Sequence, residues 1–474
     1  MNFIFFMPDE LRAESVGCYG HLSVETPNID TLARQGVRFD QCHVQNTVCT
    51  PSRCSMMTGW YPHVSGHRTL WHLLRPHEPN LLRYLKQAGY EIRWYGKNDL
   101  LAAESFADSV TEARTLGKGN FRAPVHTPDQ AGFFSFLYQP YDRPIEEHGD
   151  YANVMAGIEY IKSKPRQPFL LYLPLTFPHP PYGAPEPWHS QINPDVLPDL
   201  RPANLPNKPD YFTHIRKSRR LDELEEGVFR QINAIYLGMT GFIDYLLGML
   251  LNALSDSGLE DETAVFFFSD HGDYAGDYGL VEKWPNGMED VLTRVPLVAR
   301  IPGGASRHTV EEPIELQDLF ATVMELAGIE AQHTHFSTSL VKQLHGAAGD
   351  PLRAVYAEGG YARHEPHCFE GIPSRDPFAR SNTHIYYPKG KVQQDFPDSV
   401  GRAIMLRTAT AKLVYRPTGV SELYDLQTDP EELKNLYNNP GYKALQHNLE
   451  HRMLHWMAQT SDVVPFQTDP RGFA

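Results

Sequence analysis

A chain of 474 residues is too long for one average domain, and its 41% hydrophobic content allows a large core plus a smaller second unit. With 43 basic against 58 acidic residues it carries a net charge of −15, so nucleic acid and anionic membranes are not expected as partners, and an anionic substrate would need a local cluster of cations. Five cysteines, Cys18, Cys42, Cys49, Cys54 and Cys368, are odd in number and lack CxxC spacing, which argues against a disulfide framework or a structural zinc site.

The first residues, MNFIFFMPDE, have neither the basic start nor the small-residue cleavage site of a secretory signal. No later stretch reads as membrane-spanning, so a soluble, cytoplasmic protein is expected. Apolar runs at Phe3 to Met7, Glu91 to Tyr95, Pro168 to Leu175 and Ala264 to Phe268 alternate with segments of helical period at Asn28 to Gly36, Asn80 to Gly89 and Leu224 to Leu254. That alternation predicts a mostly parallel sheet covered by helices. Each run ends on groups able to do chemistry: Asp9-Glu10, Lys97-Asn98-Asp99, His179 and Asp270-His271. Ligands of open parallel sheets bind beyond the carboxyl ends of the strands, so these four endings can converge. Residues 103 to 150 and 178 to 209 read as loops or insertions. The texture changes near residue 350, and runs from Ala403 to Tyr415 followed by a helix from Gly441 to Met457 suit a small α+β unit.

The most specific local signal is Cys49-Thr50-Pro51-Ser52-Arg53, continued to Thr58-Gly59. It resembles the CxPSRxxxxTG signature of type I sulfatases, the formylglycine-dependent members of the alkaline phosphatase superfamily. Met7-Pro8-Asp9-Glu10 with Gly17-Cys18-Tyr19-Gly20 is similar to that family's opening strand, and Ser269-Asp270-His271-Gly272 to its second metal motif. The resemblance implies an alkaline-phosphatase-like α/β sandwich over residues 1 to 370 and a C-terminal α+β domain over residues 371 to 474. It also implies that a maturation enzyme oxidises Cys49 to formylglycine, whose hydrate offers two hydroxyls on one carbon. One attacks sulfur and displaces the alcohol; deprotonation of the other then expels sulfate and restores the aldehyde.

On the same resemblance Asp9, Glu10, Asp270 and His271 would hold a divalent metal. Their oxygen-rich donor set favours calcium, with magnesium or manganese as alternatives. Arg53, Lys97, His179 and Lys283 would form the cationic, proton-transferring set around Cys49. Two departures stand out: Glu10 occupies a position where aspartate or an amide is usual, and Gly96-Lys97-Asn98-Asp99 has aspartate where relatives carry the histidine of GKxH. Asp99 either replaces that histidine or caps the next helix. The implied substrate is a small anionic sulfate ester of a sugar or organic alcohol. The rival reading is a phosphonate monoester hydrolase or phosphodiesterase of the same superfamily, and a catalytically dead binding protein on the same scaffold is the rival from another class.

Overall fold

The computed structural model describes residues 1–117, 122–166 and 168–466. Its nine-stranded sheet contains β1 (Asn2–Asp9), β2 (Val37–His43), β3 (Glu91–Tyr95), β4 (Glu112–Arg114), β5 (Phe169–Pro178), β6 (Thr263–Phe268), β7 (Arg294–Val295), β8 (Leu297–Arg300) and β9 (His308–Glu315). The order is β4-β3-β5-β1-β6-β8-β2-β7, with β9 paired to β2. From β4 through β6 every neighbouring pair is parallel, whereas β8 runs antiparallel to both β6 and β2. The predicted mostly parallel α/β sheet is therefore present, with the reversed strands β7 and β8 confined to one side.

Side chains alternate across a strand, and β1 shows what that does here. Ile4 and Phe6 face a core shared with the helices Pro27–Gln35, Gly149–Lys162 and Glu226–Ser257. Phe3, Phe5 and Met7 face the opposite core, shared with Cys49–Thr58, Leu81–Gln87 and Asp318–Ala327. Both faces of the strand are buried, which is why its sequence is a continuous apolar run rather than an alternating one.

Three sequence-based expectations change. The helix Glu226–Ser257 is long and apolar enough to cross a membrane, contrary to the reading that no stretch is, but 78% of its apolar window is buried inside the protein. Residues 103 to 150 are not one loop: they include β4, which closes the sheet edge beside β3, while residues 118–121 lie outside the described residues. The late sheet, an antiparallel meander of β10 (Val355–Gly359), β11 (Ala403–Arg407), β12 (Ala411–Tyr415) and β13 (Glu422–Asp425), takes its first strand from before residue 370. The helix Lys443–Thr460 packs against it through Leu449 and Met453.

Candidate active site

Because β3, β5, β1 and β6 are adjacent and parallel, their carboxyl ends lie side by side. Asp9 ends β1, Lys97 follows β3, His179 follows β5, and Asp270 and His271 follow β6. Across them lies the helix Cys49–Thr58, buried at all ten positions and opening at Cys49, so its positive end faces the carboxylates. Ser52 Oγ donates to the Asp270 carbonyl at 2.5 Å, and Ser269 Oγ donates to the Pro8 carbonyl at 3.1 Å. These two hydroxyls lock helix, β6 and β1 in register.

Arg53 joins the two acids. Its Nη2 donates to Asp9 Oδ2 at 2.9 Å and its Nε to Asp270 Oδ2 at 2.8 Å, both within a fully buried site. Lys97 Nζ adds a bond to the same Asp9 Oδ2 at 2.6 Å. The cations therefore sit on the two Oδ2 atoms, and each Oδ1 turns the other way. Asp9 Oδ1 lies 3.6 Å and Asp270 Oδ1 3.9 Å from His271 Nε2, which is itself 3.1 Å from Cys49 Sγ. The other ring nitrogen of His271 donates to the Gly272 carbonyl at 2.9 Å, leaving Nε2 with its lone pair toward the group. Burial lowers the pKa of His271, so the imidazole is neutral and able to ligate. Two carboxylate oxygens and one imidazole nitrogen, gathered within 4.8 Å of one another and of the Cys49 sulfur, fit a hard divalent cation.

Burial alone would raise the Asp9 carboxyl, but Lys97 and Arg53 outweigh it and hold the group well below the usual carboxylate range. For the Cys49 thiol burial wins, reinforced by Asp9, and its pKa is pushed well up. Glu10 adopts a left-handed backbone, φ 71°, and its amide donates to Asp270 Oδ1 at 3.1 Å. Its carboxylate turns toward Lys283, 2.7 Å away, and His179, 3.4 Å away, while Oε1 has no hydrogen-bond partner among the described residues. Glu10 thus groups with Asp9 and His179 rather than with Asp270 and His271.

Lys283 also donates to His179 Nε2 at 2.9 Å, and His179 Nδ1 donates to the Pro180 carbonyl at 2.7 Å. Burial, with Lys283 and Lys97 nearby, lowers the pKa of His179 well below its ordinary value. Lys97, Asp99 and His179, with side chains 28%, 21% and 16% exposed, form the mouth; Asp9, Arg53, Asp270 and His271 are sealed behind them. Among the described residues Asp99 caps no helix; the helical turns that follow it start from Ala102 and Ser105. It lies 2.8 Å from Lys97 Nζ, while Asn98 Oδ1 accepts the Leu100 and Leu101 amides.

Several supporting residues carry no local signal in the sequence. Glu282, also left-handed at φ 64°, accepts from Arg219 at 2.6 Å and from Lys389 at 2.7 Å, so the chain beyond residue 370 braces the neighbour of Lys283. Buried Arg122 donates through Nη1 to the carbonyls of Pro181 and Gly183 and lies over the Phe177 ring, gripping the segment that carries His179. Their partners lie from about fifty to more than a hundred residues away, so no spacing could reveal them.

A family model described as Sulfatase matches residues 1–329, and one described as N-sulphoglucosamine sulphohydrolase, C-terminal, matches residues 379–459. The uncharacterized sulfatase YidJ of Escherichia coli (strain K12) is 26% identical over 98% of this chain and 88% of its own length. An N-acetylglucosamine-6-O-sulfatase of Bacteroides thetaiotaomicron is 23% identical over 94% of this chain and 84% of its own length. Among solved structures, the phosphonate monoester hydrolase of Agrobacterium radiobacter superposes with a TM-score of 0.79 at 23% identity, covering 97% of this chain and 96% of that one.

Proposed function

The chain belongs to the sulfatase family, and on that premise we propose that it hydrolyses a sulfate monoester of a sugar, using formylglycine made from Cys49 by a maturation enzyme. The observation that carries this reading is the setting of Cys49. It opens a buried helix, 3.1 Å from His271 Nε2, 3.5 Å from Asp9 Oδ1 and 3.9 Å from Lys97 Nζ. As an unmodified thiol it is held protonated by burial and is a poor nucleophile, which supports conversion to an oxygen nucleophile. The N-acetylglucosamine-6-O-sulfatase relative supports a sugar as the alcohol.

Asp9, Asp270 and His271 would hold the divalent ion, calcium before magnesium or manganese, and Glu10, the fourth expected ligand, would reach it from the Asp9 and His179 side through Oε1. When bound, such an ion supplies electrophilic activation of the transferred group and of the attacking oxygen. The chain's own residues do the rest. Arg53 orients both aspartates; Lys97 and Lys283 offer ammonium groups to the non-bridging oxygens of the sulfate. His179 is neutral with its Nε2 accepting from Lys283, so the proton for the departing alkoxide rests on Lys283 and reaches it directly or across His179.

The experiment compares a sulfate monoester, a phosphodiester and a phosphonate monoester sharing one aryl leaving group. The enzyme used is one in which the Cys49 peptide has lost roughly 18 Da on conversion. All three esters are monoanions, so charge alone does not separate them, whereas a diester must place a second organic group where a sulfate has a bare oxygen. We expect kcat/KM to favour sulfate by at least tenfold, equivalent to about 1.4 kcal/mol of transition-state stabilisation. A preference for the phosphonate or the diester would replace this reading with the phosphorus-hydrolase one.

A further inference from the structure

The strand that delivers His179 leaves the ladder before its end. β5 is in register with β1 up to Met7–Pro174, and pairing resumes only at Asp9–Pro178, so the stretch 175–177 bulges out of the sheet. A bulge re-aims the side chains beyond it. Here the first residue beyond the strand is His179, whose N–H closes the turn on the Thr176 carbonyl at 3.0 Å. A bulge also takes backbone amides off the ladder, and buried ones need an acceptor elsewhere. Both go to one side chain: the Thr176 N–H donates to Asp150 Oδ1 at 2.8 Å and the Phe177 N–H to Asp150 Oδ2 at 2.9 Å.

Asp150 is brought there by the helix Gly149–Lys162, whose N-cap His148 accepts the Asp150 N–H through Nδ1 at 3.2 Å. The carboxylate is buried, and among the described residues no cation forms an ion pair with it. Burial raises its pKa to about 6, against the pull of the two amides and of Arg122. A serine or an asparagine in its place would accept from one amide with no charge to desolvate; only a carboxylate presents two acceptor oxygens. The Phe177 ring is packed at the same time by His148, Phe242 and Arg122, and Arg122 holds the carbonyls of Pro181 and Gly183. The His179 turn is thus fixed upstream by a buried anion on its amides and downstream by a buried cation on its carbonyls. Asp150 itself bonds only to backbone.

We propose that Asp150 is a positioning residue for the reaction: by holding the Thr176 and Phe177 amides it fixes the bulge that sets His179 Nε2 against Lys283 and the departing alcohol. The proposal rests on the sulfatase reading above and deepens it, adding to the proton-transferring pair a residue that acts only through His179. Misplacing a group at the reacting centre by about 1 Å costs about 10² in rate, and the 2.9 Å bond between Lys283 and His179 is what such a shift opens.

The test uses the full chain with Cys49 converted and two substrates, 4-nitrophenyl sulfate and 2-(4-nitrophenyl)ethyl sulfate, the second of which expels an alkoxide that needs a proton. Asp150→Asn keeps the volume and one acceptor but sets an NH2 group against the other amide. We expect kcat on the alkyl ester to fall about tenfold with KM within about twofold, and the fall on the aryl ester to be about threefold or less. In a double-mutant cycle, adding Asp150→Asn to His179→Gln should cost less than about twofold on the alkyl ester, because the residue it positions is gone. An equal loss on the two esters, a full further loss in the His179→Gln background, or no loss at all overturns the positioning role and leaves the sulfatase reading standing. If Asp150→Asn does not fold, the same cycle on Asp150→Glu decides by the same outcomes, since glutamate keeps the charge and both oxygens but moves them by one methylene. Failure of the parent enzyme to turn over either sulfate counts instead against the sulfatase reading, and with it against the proton path on which Asp150 acts.

Discussion

Arg53 reaches two carboxylates with two different nitrogens and, with Lys97 on the same Asp9 oxygen, leaves the Oδ1 of each acid on the side of Cys49. A lysine at the same position has one nitrogen and could not hold both. His179 is the residue whose placement makes the sharpest kinetic statement. With Nδ1 committed to the Pro180 carbonyl and Nε2 accepting from Lys283, it lies on the path of a proton to the leaving oxygen. His179→Gln should therefore lose about 10²–10⁴ in kcat/KM on esters of alkyl alcohols, and far less on 4-nitrophenyl sulfate, whose phenolate leaves without help. An equal loss on both esters would assign His179 to sulfate binding alone. Asp99 stands where relatives carry a histidine, and its carboxylate meets Lys97 rather than a helix end. Burial raises its pKa, but Lys97 and Arg53 outweigh burial, so it is ionised and available as a base at neutral pH. If it assists release of sulfate, Asp99→Asn should accumulate a sulfated enzyme detectable by intact mass, with turnover down by about 10²-fold or more. Unchanged turnover would leave Asp99 only as the partner of Lys97.

Among the elements, two turns reverse the chain at the site through left-handed residues that are not glycine, Glu10 and Glu282. Such a conformation costs of order 1 kcal/mol each and persists where surrounding contacts dictate it. Glu10 is held by the hydrogen bond its backbone N–H donates to Asp270 Oδ1, and Glu282 by the Arg219 and Lys389 ion pairs. The segment 65–78 is held by a different device, the buried His67–Glu78 pair at 2.8 Å. Burial lowers the His67 ring, but Cys54 and then Glu78 outweigh it and raise its pKa from 6.5 to about 11, so its contribution is fully present below pH 6.5 and is lost as pH rises through about 11. The Glu78 pKa falls from 4.5 to about 2, so its contribution is present above pH 4.5 and is lost as pH falls through about 2. Glu78→Gln should therefore destabilise the protein most between about pH 4.5 and 6.5, by about 3 kcal/mol, with the difference shrinking on either side. A constant difference from pH 4 to 10, measured by denaturant unfolding, would show that the pair is not ionic.

For the molecule as a whole, the site joins four parallel strands, one helix and, through Lys389, the chain beyond residue 370, so a bound ion acts on global stability as well as on turnover. Chelation should abolish activity and lower the melting temperature, and calcium, magnesium or manganese should restore both in proportion to occupancy. Full activity in protein shown by elemental analysis to be metal-free would remove the ion from the mechanism. The strand runs, their polar endings and the pattern from Cys49 to Gly59 were legible in the sequence, because burial on both faces of a parallel sheet and a short contiguous signature are both local properties of a sequence. From them came the α/β class and the set Asp9, Cys49, Arg53, Lys97, Asp270 and His271 that the structure gathers beyond the carboxyl ends of the central strands. Which way Glu10 turns, the bracing of Glu282 by Arg219 and Lys389 and the grip of Arg122 on the His179 segment were decided only by tertiary structure. Each depends on charges distant in sequence meeting in a desolvated interior, where a partner is chosen by packing, and periodicity along the chain carries no record of that choice.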